Sequence, residues 1–509
     1  MSNIVVAGRG TTGWLTALLI QKQFPNYNIT MVYDDKIPII GVGESTTPSF
    51  LDFIESYLEI PTSDIIKECE GTLKLGIKFK NWKGDGSHYY HSFTGNPVDY
   101  FCSALSKGVH LDEIDLAAQL CELNKVPKEV DGVEYYGRDD KYERTCMALH
   151  FNAKLLAEYL EKIGKERGIN IVIGNIQDSV LDDDGYVVEI VLDTKERIDT
   201  EFIFDCTGFS RVFVDKVYKS PMDYFEHLPV KRAMPFFLDK TGPTPPYTEA
   251  IAMKYGWMWK IPVGDRYGCG YAFDSDLTTD EDAYKEICEE TGQKPEIRKK
   301  IDFKAGYHTK PMNKNTLALG LAHGFLEPLE ATSILITVDM LHIFKQTVPM
   351  GNGRIKRDNR DSYAKDYNKL VQKIVTNCTD FVYLHYLTPR NDTEFWRRFQ
   401  EKTPRKSLTK ILNLVNEYDA SKPNDLQLLH PFERKSYLQC LSGVDMLNKD
   451  MIKRNACEYT YSQVCKMKEK NKYVSKRSMD HDEILKIMRE SPDAAAQFIN
   501  SVFRSGAKR

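Results

Sequence analysis

The feature that most constrains this chain lies in its first thirty-five residues. An apolar run, Ile4 to Ala7, meets a glycine-rich turn (GRGTTG, with Gly8, Gly10 and Gly13), and the turn leads directly into TGWLTALLIQKQF and then the β-branched run ITMVY. Strand, tight turn, helix, strand is a βαβ unit, and glycines at its junction let backbone amides meet a pyrophosphate. A helix starting near Thr11 and Thr12 aims its open N–H groups and positive end at the same point. The acidic residue expected about 20 positions on, to hold a ribose hydroxyl, is Asp34. Tyr33 stands where a carboxylate is first sought, so Asp34 is either displaced by one residue or an exposed turn residue.

Composition excludes several classes of function. Lys and Arg (69) nearly cancel Asp and Glu (73), leaving a net charge of -4, which argues against coating nucleic acid. The eleven cysteines are scattered with no CxxC pair, as expected of a reducing, cytoplasmic setting. No apolar run reaches the roughly 18 residues of a membrane span, and the start does not read as a signal peptide. The lysine-rich stretch Lys466 to Arg477 alternates with Glu469 and polar residues, as a solvated helix face does.

At 509 residues the chain has room for more than one structural region. Further strand-like runs occur at INIVIG, YVVEIVL and EFIFDCTG, so the nucleotide-binding elements are discontinuous in sequence. We expect one domain from residues 1–84, 146–211 and 301–345. An interleaved substrate side, rich in Tyr, Phe, Gly and Pro, is expected at 85–145 and 212–300, and a mostly helical region at 346–509.

NAD and FAD enzymes share the glycine turn, so other segments must discriminate. GVGESTTP carries Gly41, Val42, Gly43, Glu44 and Ser45, and suits a loop wrapped closely on a large cofactor. DCTGFSR, with Asp205 and Gly208, ends an apolar strand and allows close backbone approach, although an ordinary turn would read the same way. With GWMWKIP (Gly256 to Pro262), NTLALGLAHGFLEPLEATS (Asn315 to Ser333) and HYLTPRNDTEFW (His385 to Trp396), these segments resemble the tryptophan-type flavin-dependent halogenases from Asn3 to about Trp396. The resemblance implies an FAD-binding, Rossmann-like α/β fold of the glutathione-reductase and aromatic-hydroxylase kind, with Gly320 and Leu321 also at the flavin.

It further implies that reduced FAD, oxygen and a halide (chloride, bromide or iodide) give hypohalous acid, the cofactor carrying the hard oxidation. The acid is relayed to a lysine, matched by Lys74, which holds it by hydrogen bond or as a haloamine. Leu73, Leu75 and Ile77 give Lys74 an apolar setting that favours its neutral form, although a lone strand lysine is ordinarily a snorkelling surface residue. Strand alternation would put Lys74, Gly76 and Lys78 on one face, with Lys78 the natural control. Glu330 matches the carboxylate that stabilises charge or takes the ring proton. Thr332 and Ser333 match the halide-binding positions, where Ala331 and Ser333 replace the family's usual serine and glycine. That change either restricts the backbone or reshapes the halide cavity.

Trp257 and Trp259 match the signature that keeps substrate off the flavin, and His91 and Phe93 match positions that sandwich an aromatic substrate. A metal role for His88 and His91 lacks supporting ligand spacing, so no metal is expected. Members acting on free tryptophan close the pocket with a C-terminal tryptophan, yet none lies beyond Trp396, and Tyr437 is the nearest counterpart. A small aromatic substrate other than free tryptophan is therefore expected. No second GxGxxG follows a strand, which implies a separate NAD(P)H-dependent flavin reductase. The sequence leaves open whether the chain is a homo-oligomer. An FAD-dependent aromatic monooxygenase, or a non-catalytic flavoprotein, are the competing readings.

Overall fold

The computed structural model describes residues 2–39, 41, 43–93, 98–127, 147–347, 350–351, 354–355, 360–419 and 431–503. Val42 lies outside the described residues, as do 94–97 and 128–146 of the expected substrate side. The chain opens as β1 (Asn3–Ala7), α1 (Thr11–Gln23) and β2 (Asn28–Tyr33). Four strands follow: β3 (Thr72–Lys74), β4 (Gly76–Lys80), β5 (His88–Ser92) and β6 (Ala148–Phe151). Next come α2 (Ala153–Glu166), β7 (Asn170–Ile173) and β8 (Phe202–Asp205), then β9 (Arg232–Asp239), β10 (Tyr247–Ala252), β11 (Gly256–Val263) and β12 (Arg266–Phe273). The elements used below end with β13 (Thr316–Ala318), α3 (Thr332–Thr347), α4 (Arg360–Leu384) and α5 (Arg434–Gly443). No helix among the described residues is long and apolar enough to cross a membrane.

The first sheet runs Met312–Asn313, β13, β8, β1, β2, β7, its last five strands parallel. Parallel strands buried on both faces read as continuous apolar runs, which is why IVVA and FIF carry no alternation. It is the Rossmann-like α/β sheet expected from the sequence, assembled from three distant segments. A second, seven-stranded sheet runs Ile301–Asp302, β9, β12, β11, β10, β4, β5 and is mostly antiparallel. A small third sheet joins Glu44–Ser45, β6 and β3.

The lysine segment departs from the expected alternation. Lys74 ends β3 in the small sheet, opposite Ala148, whereas Lys78 sits in β4 of the large sheet, opposite Tyr90. The chain changes sheets at Leu75, whose N–H bonds the Pro246 carbonyl at 2.7 Å. Lys74 is consequently fully buried, while Lys78 reaches Glu122 at 3.3 Å near the surface. The two lysines do not share a face, and residues 76–80 run with the strands expected on the substrate side.

Helix α1 is buried from Gly13 to Ile20 and packs on α2 through Trp14. A Cβ at Gly164 of α2 would stand 2.5 Å from the Trp14 ring. Because a packed core cannot absorb an extra methyl without displacing a rigid indole, Gly164→Ala should destabilise the fold by about 1–3 kcal/mol. An unchanged urea midpoint would contradict this packing.

Candidate active site

Three motifs far apart in sequence converge at the C-terminal ends of the parallel strands. The Cys206 N–H bonds the Ala7 carbonyl (2.9 Å), and the Leu319 N–H bonds the Asp205 carbonyl (3.0 Å). Gly320 packs so closely on Thr12 that a Cβ there would lie 2.6 Å from the hydroxyl. The GRGTTG, DCTG and ALGLAHG turns thus form one floor, to which Leu321 belongs. Gly10 caps α1 without a side-chain hydrogen bond, leaving the N–H groups of the first turn to a ligand. Gly8 takes φ +116° against the Cys206 backbone. A bare, glycine-lined helix start at the switch between strands fits the pyrophosphate of FAD.

Both acidic positions accept hydrogen bonds from groups of their own turns. Asp34 follows β2, and its Oδ1 accepts from the Lys36 N–H at 2.9 Å, capping the turn. Asp205 uses both carboxylate oxygens on Thr207, Phe213 and Val214 of its own loop, so it shapes the DCTG turn through these bonds. In the strap, the Ser45 hydroxyl pairs with Thr248 at 2.8 Å, Gly43 lies against Val263 of β11, and burial pushes the Glu44 carboxyl up to about 7.

The strap leads straight to the lysine. The Lys74 ammonium or amine donates to the Thr46 carbonyl at 2.7 Å and sits 5.1 Å from the centre of the Phe93 ring. Burial drives its pKa down to about 7, opposed only by the charge of Glu330. Phe93 is placed by continuation of the β4–β5 pairing, its N–H bonding the Leu75 carbonyl.

Glu330 is buried in a short turn, Leu329–Ala331, with φ of 62° at Glu330 and 56° at Ala331. Two non-glycine residues in the left-handed region cost energy that the surrounding packing must hold. The His91 Nδ1 donates to both carboxylate oxygens at 2.9 Å, and the His385 Nε2 reaches Oε1 at 3.0 Å. Burial alone would raise this carboxyl. The His91 charge and the hydrogen bonds from His385 and His91 overcome that and hold it well below the usual carboxylate range. His91, Glu330 and Cys440, all buried, bring one potential ligand atom each within 4.8 Å of one another. His88 instead pairs with Glu122 at 2.6 Å.

Thr332 and Ser333 open α3, lining a cleft of about 20 Å³ with Gly320, His323 and Tyr307, room for one small ion or water. Ser333 is helical and lines the cleft, and the positive φ values fall at 330 and 331, so a side chain at 333 meets no backbone strain.

An aromatic wall stands beside His91. Its ring lies 5.4 Å from Phe381, which stacks on Phe432 at 3.8 Å and meets Tyr437 edge-on at 5.0 Å. Helix α5 carries Tyr437 and Cys440, and Gln439 ties it to Ser92 of β5 at 2.8 Å. Trp257 and Trp259 stand apart from this group. The Trp257 indole donates to Glu327 at 3.3 Å, the Tyr386 hydroxyl does so at 2.5 Å, and burial pushes the Glu327 carboxyl up to about 7. His385, Cys440, Phe381, Phe432, Glu327 and Thr46 were not singled out by sequence. His385, Glu327 and Thr46 lay in quoted motifs, without a role.

The tryptophan halogenase family model matches residues 3–457. The tryptophan 6-halogenase SttH of Streptomyces toxytricini is 29% identical over 474 residues, covering 86% of this chain and 88% of that protein. The tryptophan 7-halogenase RebH of Lentzea aerocolonigenes is 29% identical over 435 residues, covering 79% of each. Among solved structures, BrvH, a flavin-dependent halogenase from Brevundimonas sp. BAL3, superposes with a TM-score of 0.85 at 25% identity, over 96% of this chain and 99% of that one. The buried lysine and glutamate on a dinucleotide floor therefore sit in a flavin-dependent oxidoreductase. The chain belongs to the tryptophan halogenase family of flavin-dependent halogenases.

Proposed function

We propose that the chain uses reduced FAD, oxygen and halide to make hypohalous acid, and delivers the halogen through Lys74 to an electron-rich aromatic compound other than free tryptophan. FAD, held by Gly8, Gly10, Thr11, Thr12, Gly13 and the strap from Gly41 to Ser45, supplies the oxidation when bound. The observation that carries the reading is the fully buried Lys74 amine, set between the Thr46 carbonyl, the Phe93 ring and the charge of Glu330. A neutral amine there holds hypohalous acid by hydrogen bond or as a haloamine. Ring electrons then attack the halogen, its bond to oxygen or nitrogen breaks, and the ring proton leaves to Glu330, balancing the proton that the departing hydroxide or Lys74 nitrogen takes up to become water or the free amine. The Phe381, Phe432 and Tyr437 wall beside His91 supports a flat aromatic substrate in place of tryptophan.

The test is mass spectrometry of phenols and indoles incubated with the protein, FAD, an NAD(P)H-dependent flavin reductase, NADH and each halide in turn. Halogenated product that disappears in Lys74→Ala is expected. Hydroxylated product or halide-independent turnover would instead indicate an aromatic monooxygenase, and no product at all with bound FAD a non-catalytic flavoprotein. Because residue 333 shapes the halide cleft, the Ala331→Ser, Ser333→Gly variant should change the relative rates with chloride, bromide and iodide by several-fold. Identical relative rates would remove that assignment.

A further inference from the structure

The strand that carries Lys74 is held by a residue from the far end of the chain. Helix α6 (His481–Glu490) lies beyond residue 457, where the family match ends, and its first residue is completely buried against β3. The Leu73 N–H donates to the His481 Nε2 at 3.1 Å, and Nδ1 of the same ring lies 3.0 Å from the Thr244 carbonyl. Both partners are backbone groups with fixed roles. An amide N–H only donates, so Nε2 accepts through its lone pair, and a carbonyl only accepts, so Nδ1 carries the hydrogen. The ring is therefore neutral. Burial, which draws its pKa down to about 4, keeps it so near neutral pH.

The ring closes the edge of β3 that β6 does not. On one side Lys74 stands opposite Ala148 of β6. On the other, the Leu75 N–H bonds the Pro246 carbonyl directly at 2.7 Å, whereas Leu73 reaches the same loop only through the imidazole, at Thr244. The N–H groups on both sides of Lys74 are thus tied to residues 244–246, and a buried N–H left unpaired there would be costly. The ring is fixed in turn by its own neighbours. The His481 N–H bonds the Asn124 carbonyl at 3.0 Å, Asp482 accepts from the Thr244 N–H at 3.0 Å and from its hydroxyl, and Arg489 reaches the Gly71 carbonyl at 3.4 Å.

We infer that His481 is a positioning residue for Lys74: its imidazole completes the outer edge of β3 and so fixes the Lys74 amine against the Thr46 carbonyl and the Phe93 ring, where halogen passes to substrate instead of escaping. A displacement of about 1 Å at a reacting group can cost on the order of a hundredfold in rate. The effect on halogenation rests on the proposed function, but the hold on the strand does not. Hydrogen exchange of the full chain, read at the Leu73 amide by fragmentation mass spectrometry, needs no flavin, halide or substrate.

His481→Gln keeps a carbonyl oxygen near the place of Nε2, while His481→Asn places its amide near Nδ1 and leaves Leu73 without an acceptor. Leu73 exchange should be at least about tenfold faster than wild type in His481→Asn, the scale of one net hydrogen bond, and close to wild type in His481→Gln. During turnover, added taurine traps hypohalous acid that leaves the protein. In His481→Asn the trapped haloamine should rise several-fold as halogenated product falls about tenfold, with FAD affinity and halide KM unchanged, and His481→Gln should restore product. A merely structural loss would lower product and escaped hypohalous acid together. Unchanged Leu73 exchange in His481→Asn would overturn the inference, as would faster exchange with product undiminished, or both products falling together. If His481→Asn does not fold, the wild type decides: its Leu73 amide should exchange about as slowly as those of Thr72 and Lys74, and exchange about a hundredfold faster than both would overturn the inference. The expected exchange pattern without halogenated product from the wild type would leave the hold on β3 standing and remove the proposed function.

Discussion

Lys74→Ala should lower halogenation by roughly three orders of magnitude, the scale of a lost proton-transfer or nucleophilic group, while FAD binding and NADH consumption by the coupled reductase continue. Lys74→Arg should be nearly as poor, because a guanidinium stays charged and offers no lone pair. In the wild type, the Lys74 pKa of about 7 sets the pH dependence. The neutral amine is the active form, so the rate should climb with pH up to about 7 and level off above it, falling about tenfold per unit on the acid side. A flat profile between pH 6 and 8, or full activity in Lys74→Arg, would remove the amine from the chemistry.

The same burial makes Lys74 costly to the fold, and this separates its role from a structural one. In the unfolded chain its pKa is 10.5 and in the folded chain about 7, so between those values the unfolded state binds the extra proton and stability rises with pH. Below pH 7 the folded state carries the whole penalty, on the order of 5 kcal/mol. Lys74→Met keeps the length and removes the amine. It should therefore be inactive, yet melt several degrees above the wild type at pH 6, even after the loss of the bond to the Thr46 carbonyl. A lysine retained for packing alone would give the reverse, a less stable variant.

What the sequence made legible was governed by local chemistry. The turn at Gly8 was readable from its place between strand and helix, Gly208 read equally as an ordinary turn and Gly320 came through resemblance, and the structure brings all three turns to one floor. Lys74 and Glu330 were readable through resemblance, and the burial of Lys74 agrees with its apolar neighbours in sequence. The relation of Lys74 to Lys78 was not legible, because the change of sheet at Leu75 depends on a partner at Pro246, and nothing in GTLKLGIKF encodes it. His385 was missed for a related reason. One turn after Phe381 on an apolar helix face, it reads as a satisfied core histidine, and only the fold brings Glu330 and Cys440 to its other nitrogen. Trp257 was expected to keep substrate off the flavin, and its indole N–H is bound to Glu327, a carboxyl inside the Asn315–Ser333 segment for which the sequence suggested no role.

Gly8→Ala should abolish FAD binding, read as loss of flavin fluorescence quenching on titration, and with it all turnover. Two costs coincide at this position. Its φ of +116° is a conformation that L side chains rarely adopt, and a Cβ would stand 2.1 Å from the Cys206 carbonyl oxygen, a backbone atom held by the parallel β1–β8 pairing. Neither partner can yield without parting the GRGTTG and DCTG turns, since Cys206 is bonded back to Ala7 and Asp205 onward to Leu319. Gly10→Ala makes the informative comparison, because a Cβ there meets nothing within 4 Å of protein. If the open space over Gly10 is where the pyrophosphate lies, Gly10→Ala should fold like the wild type and still bind FAD at least about tenfold more weakly, a loss of roughly 1.4 kcal/mol. Undiminished FAD binding in Gly10→Ala would place the cofactor's phosphates somewhere other than the start of α1, whereas failure of Gly8→Ala alone would show only that the floor had been broken.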